Sequence, residues 1–166
     1  EGSLAVIAVF LGWLFSFSPV EKLRLEEGQW WYVLMLGCAA SLPLFAGLLI
    51  IEKVPLRPLV HLRDTASHLL KRILGRCSLG ELAVISLFAG IGEEILFRGL
   101  LQEGLAAWIG GPAGIWIGLA VASVIFGLAH AATRTYAILA ALAGAYLGLL
   151  LIYTDNLIVP ILAHAI

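Results

Sequence analysis

The sequence predicts an all-α, polytopic membrane helical bundle with about six spans and one amphipathic surface helix. Three observations predict it. First, 61% of the 166 residues are hydrophobic and the mean hydropathy is +1.03, whereas a soluble domain is nearer half apolar. Second, only 13% of residues are charged, about half the usual share. A soluble chain of this size has too little interior to hide so much apolar surface. Third, the apolar residues fall into runs approaching the ~20 needed to cross the hydrocarbon layer, divided by short polar or glycine-rich connections. A net charge of -1 gives no reason to expect a nucleic-acid partner. Cys38 and Cys77 fit neither a disulfide framework nor a thiolate metal site.

The first run, Leu4–Ser18, reads as a short span or a signal-like segment ended by Pro19, and Val20–Gln29 as a charged loop. Trp30–Ile51 is a second span that opens on Trp30, Trp31 and Tyr32, the aromatic belt of an interface; Pro43 is a candidate kink. In Glu52–Arg76 the apolar residues Leu59, Leu62, Ala66, Leu69, Leu70 and Ile73 recur at helical spacing beside Lys53, Arg57, Arg63, Lys71, Arg72 and Arg76. That pattern suits a helix lying on the membrane surface, on the cytoplasmic side. Leu79–Trp108 is a long third segment, Gly110–Pro112 a turn, and Ala113–Ala131 a fourth span with Gly114 and Gly118 at small-xxx-small spacing. Thr133 and Arg134 mark a turn. Tyr136–Tyr153 is a fifth span with Gly144 and Gly148 at the same spacing, and Leu157–Ile166 begins a sixth after Thr154–Asn156. Residues 1–166 read as one membrane domain. The chain opens on Glu1 and stops inside an apolar run, so it reads as a piece of something longer.

An ionisable residue at the bilayer centre costs about 2.5–3.5 kcal/mol on insertion scales, so it needs a partner and a reason. The third segment carries Glu93, Glu94 and Arg98 within six residues. Glu94 and Arg98 are four apart, share a face, and stand in the favoured acid-first order; on structural grounds alone they are an ion pair holding helices together. Glu93 points about 100° away and has no partner on its own helix. Its carboxylate is expected to be poorly stabilised, the condition of a general base working near neutral pH. His61 and His68 fall on the solvated surface helix, whereas His130 and His164 fall in apolar spans. Glu93 lies seventeen residues before Gly110 and His130 nineteen after Gly111, about 26 and 28 Å of helix. If the turn reverses the chain, the two reach similar depth. His164 lies only eight residues past Asn156, about 12 Å in, so tilt, a kink or an irregular turn is needed to bring it level.

Glu93-Glu94-Ile95-Leu96-Phe97-Arg98 reads as E-E-x-x-x-R, Phe126-Gly127-Leu128-Ala129-His130 as F-x-x-x-H, and Asn156–His164 as a final histidine segment. Together these resemble the CPBP family of intramembrane proteases, which includes type II CAAX prenyl-protein endopeptidases and bacterial Abi or bacteriocin-immunity proteins. The resemblance covers Leu79–Ile166, the motif-bearing core. It implies that Glu93 activates a water, that His130 holds and polarises that water, and that His164 stabilises the oxyanion. It implies that Glu94 pairs with Arg98, and it carries Phe126 as a supporting residue. The family's asparagine four positions after the last histidine would fall beyond Ile166.

No Ser or Cys nucleophile is required by such chemistry. The H-E-x-x-H zinc pattern does not occur. The expectation is a metal-independent water, with zinc or another divalent ion on Glu93, His130 and His164 as the alternative. The implied function is an intramembrane endopeptidase acting on a membrane-associated peptide or prenylated protein, in a multi-pass protein of a prokaryotic inner membrane. A catalytically silent scaffold or immunity protein, and a proton-coupled carrier, are the competing readings.

Overall fold

The computed structural model describes residues 2–25 and 28–166; Glu26 and Glu27 of the expected charged loop lie outside the described residues. Among the described residues there are eight α-helices and no strand: α1 (Gly2–Leu14), α2 (Trp30–Lys53), α3 (Arg57–Leu74), α4 (Leu79–Glu94), α5 (Glu103–Ile109), α6 (Gly111–Ala129), α7 (Arg134–Thr154) and α8 (Ile158–Ala165). A π-helical segment, Ile95–Gln102, joins α4 to α5. The all-α class holds. The count of about six spans is loose: among the described residues, three helices, α2, α6 and α7, are by length and composition each long and apolar enough to cross a membrane. The first run forms a helix of 13 residues that stops at Leu14, short of Pro19. The third segment is broken in type by its π turn, and the last helix is 8 residues long.

Local sequence explains the helix ends. Ser78 and Glu81 form a capping box at the start of α4, with Glu81 N donating to Ser78 Oγ at 3.3 Å and Ser78 N to Glu81 Oε2 at 2.7 Å, so two orphan helix donors are satisfied. Gly110 and Gly111 both take positive φ, a left-handed turn that glycine tolerates, and Pro112 follows in the first turn of α6, where a missing N–H costs nothing. Thr133 caps α7 by accepting from Tyr136 N at 3.0 Å. Pro43 sits inside α2, which continues through it. Much of the apolar surface, including Phe10, Trp13, Leu42, Leu48, Phe88 and Leu142, points outward, as a bilayer solvent requires.

Lipid tails are as apolar as leucine, so helix association here rests on close packing and hydrogen bonds. α8 is wedged between α2 and α4. A Cβ on Gly37 would lie 2.6 Å from Leu162 Cβ, and one on Gly90 3.1 Å from Ala165 Cβ; Ser86 Oγ also donates to Ala165 O at 2.7 Å. The turn before α8 is tied to the loop after α1. Leu157 is buried, its N–H donates to Lys22 O at 2.9 Å, and Asn156 Nδ2 donates to Arg24 O at 2.8 Å. Lys22 Nζ closes the strap on Glu103 Oε2 at 2.6 Å and Asp155 Oδ1 at 2.8 Å. Burial works against the Lys22 ammonium, but the hydrogen bonds and charges of Asp155 and Glu103 outweigh it and raise its pKa above the ordinary 10.5. α8 brings His164 level with Glu93, its Nε2 3.9 Å from Glu93 Oε2.

Gly114 and Gly118 bring α6 against the chain that precedes it: a Cβ on Gly118 would meet Gln102 O at 2.4 Å, a backbone atom. Gly118→Ala is therefore expected to destabilise the bundle by about 1–3 kcal/mol, measured by thermal or detergent-induced unfolding. Gly47→Ala, where nothing lies within 4 Å, is expected to leave the transition in place.

Candidate active site

Glu93 and Glu94 are the last two residues of α4, and the π segment begins directly after them. Single π turns inside helices recur at functional sites. Here the segment carries Arg98 and Gln102 four residues apart toward α7. Arg98 Nη2 donates to Gly144 O and Gln102 Nε2 to Gly148 O, each at 3.1 Å. The glycine pair of α7 thus supplies two carbonyls as well as close packing. A side chain at 148 would sit 2.4 Å from Gln102 Oε1.

The expected Glu94–Arg98 pair is present, with Arg98 Nε 3.1 Å from Glu94 Oε2 and the two side chains 1% and 0% exposed. The sequence did not suggest its second half. Glu94 Oε1 accepts from His164 Nδ1 at 2.8 Å, so one buried carboxylate is shared between a guanidinium and an imidazole. The guanidinium also stacks over the Phe126 ring, 4.6 Å to its centroid. That ring meets Phe97 edge to face at 5.0 Å.

His130 ends α6, in the bridge region of backbone space (φ -101, ψ 19) where active-site residues often sit. Its Nδ1 lies 2.8 Å from Phe126 O. A carbonyl oxygen only accepts, so Nδ1 carries the hydrogen. The same logic at Glu94 puts a hydrogen on His164 Nδ1. Both rings therefore turn Nε2 toward Glu93, whose Oε2 lies 3.5 Å from His130 Nε2 and 3.9 Å from His164 Nε2. These separations are within ion-pair range and longer than a direct hydrogen bond. Glu93 is therefore not an isolated acid, as its own helix suggested; its partners come from α6 and α8. The side chains of His130 and His164 are 23 and 24% exposed, whereas Glu93 is buried behind them with its Oε2 shielded from solvent.

The three residues expected to act together and the three expected to support them, Glu94, Arg98 and Phe126, form one connected cluster. Among the described residues, no group of three or more His, Cys, Asp or Glu side chains has the arrangement of a metal site. The residues the sequence reading missed are Gln102 and Tyr136. Tyr136 packs its ring edge-on against His130 at 5.8 Å. A signal for Gln102 was present: it follows Arg98 by four residues, just as Gly148 follows Gly144.

Acids and imidazoles are thus gathered on α4, α6 and α8 in one cluster. A family model described as type II CAAX prenyl endopeptidase Rce1-like matches residues 76–166, more than half of the chain, and the chain belongs to that family of intramembrane peptide hydrolases. No curated protein and no solved structure matches it.

Removing one member of a buried ion pair strands the other charge and typically costs 3–5 kcal/mol. Arg98→Leu is expected to lower unfolding stability by about that much, whereas Glu93→Gln, which keeps the side chain's size and shape, is expected to leave it close to the parent's; paired unfolding curves in one detergent check this.

Proposed function

We propose that the chain hydrolyses a peptide bond of a membrane-associated protein, prenylated substrates included, through a water that Glu93 deprotonates. The observation that supports this best is the convergence of Glu93 Oε2 with the Nε2 atoms of His130 and His164, at 3.5 and 3.9 Å. A water seated among these three atoms can donate two hydrogens. One hydrogen points to Glu93 and the other to His130 Nε2, which leaves an oxygen lone pair for the substrate carbonyl.

In this reading the water oxygen bonds to the carbonyl carbon as its proton passes to Glu93. The carbonyl π electrons move onto oxygen, and His164, once a proton taken from solvent has been added at Nε2, donates that N–H to the oxyanion while Glu94 holds its Nδ1–H. The C–N bond then breaks, and the proton on Glu93 goes to the leaving amine. A base of this kind contributes about 10²–10⁴-fold and an oxyanion donor about 10²–10³-fold. Glu94 acts through His164 as a positioning residue, and Arg98 holds Glu94. Zinc or another divalent ion on Glu93, His130 and His164 is the alternative source of an activated water. Residues 1–166 act as one membrane domain with 79–166 as the catalytic core, and 52–76 faces the cytoplasm of a prokaryotic plasma membrane. The turn that carries His130 lies at the same end of the bundle as α3, so water and substrate enter from that side.

Glu93→Gln keeps the shape and removes the base. It is expected to reduce peptide cleavage in reconstituted protein by about 10²–10⁴-fold with the unfolding transition unmoved. Cleavage at the parent rate would reject the assigned base and return the silent-scaffold reading. Cleavage is also expected to survive chelators in protein shown to be zinc-free by elemental analysis. Loss with chelator and recovery with added zinc would select the metal-bound alternative.

A further inference from the structure

Helix α3 divides cleanly around its axis. Leu59, Leu62, Ala66, Leu69, Leu70 and Ile73 fall on one arc at 100° per residue, and Arg57, His61, Asp64, His68, Lys71 and Arg72 fall on the other. The exception is Arg63, a cation on the apolar arc. Its Nη1 reaches back to Ile51 O at 3.3 Å and to Glu52 O, at the C-terminal end of α2. A guanidinium there satisfies carbonyls the helix leaves open and suits the negative end of its dipole. Arg63 thereby fixes the angle between α2 and α3.

The apolar arc is covered along only half its length. Leu62 is buried where α3 leans on its neighbours, whereas Leu69, Leu70 and Ile73 are 43, 56 and 71% exposed. Flanking that uncovered half are Lys71, Arg72 and, just past the helix, Arg76, and among the described residues no ion pair engages them. The imbalance extends to the whole molecule. Of the ten Lys and Arg residues, seven (Lys53, Arg57, Arg63, Lys71, Arg72, Arg76 and Arg134) lie at this end of the bundle. The acids at this end are Glu52, Asp64 and Glu81. At the opposite end Lys22 is already bound by Glu103 and Asp155, and Arg24 by Glu21.

We infer that the C-terminal half of α3 is a docking surface for anionic phospholipid: Leu69, Leu70 and Ile73 enter the acyl boundary while Lys71, Arg72 and Arg76 engage the headgroups. The length of the exposed apolar patch and its cationic flank favour a lipid surface over an acidic polypeptide, which would leave Ile73 in water. The same helix leans on α7, whose first turn carries Tyr136 against His130. A lipid that seats α3 therefore also braces the end of the bundle where the catalytic cluster opens. The inference rests on charge and exposure, not on the proposed mechanism.

The test is retention of phosphatidylglycerol against phosphatidylcholine by the full chain, titrated in detergent and read by native mass spectrometry. The parent protein is expected to retain phosphatidylglycerol preferentially. Lys71→Gln with Arg72→Gln is expected to weaken that retention by roughly fivefold per charge removed, and Lys71→Arg with Arg72→Lys to preserve it. The preference is expected to fade as salt rises toward 1 M, where screening reaches about 3 Å. Equal retention of the two lipids, or a preference the charge-removing variant keeps in full, would overturn the inference. Stronger binding of poly-glutamate than of phosphatidylglycerol, lost in the same variant, would overturn it in favour of an acidic polypeptide.

Discussion

The structure depends on one buried carboxylate with two partners. Glu94 is fully buried and lies between Arg98 Nε at 3.1 Å and His164 Nδ1 at 2.8 Å. A carboxylate that deep is tolerable only when paired and hydrogen-bonded. The pairing does more than neutralise charge, because Arg98 belongs to the same helical segment and His164 to α8. The bond to His164 fixes which nitrogen of that ring faces Glu93 and ties the last helix to the third segment.

Everything around Glu94 serves to keep that geometry. The π segment sends Arg98 and Gln102 to consecutive glycine carbonyls on α7. The Phe126 ring packs under the Arg98 guanidinium, while its carbonyl accepts from His130 Nδ1. One residue of α6 thus touches both the structural and the accessible halves of the cluster. At the far end, the strap from Lys22 and Arg24 ties down the turn before α8, which fixes where that helix begins. Such supporting contacts decide whether a site holds its geometry to the tolerance chemistry needs.

Composition and hydropathy carried the fold class, and helix periodicity carried the Glu94–Arg98 pair, because both are local consequences of the residues present. The association of Glu93 with His130 was legible too, since rise per residue and one glycine turn suffice to compare their depths. Three features were not legible. The π turn leaves no local mark in Ile95–Gln102 that distinguishes it from α-helix. The position of α8 is set by contacts with a loop more than 130 residues earlier. The second partner of Glu94 depends on that position, so a spacing argument confined to one helix sees only Arg98. Six spans were inferred from six apolar runs, but the first and last helices are too short to cross by themselves.

The tautomer of His164 tests the central claim directly. In the full chain, ¹⁵N-labelled at histidine and held in nanodiscs at a pH where the imidazoles are neutral, the His164 resonances are identified by their loss in His164→Gln. A carboxylate shared with Arg98 requires hydrogen on Nδ1 and a bare Nε2. A His164 ring that instead carries its hydrogen on Nε2 would mean Glu94 does not hold it, and the connected cluster described here would come apart.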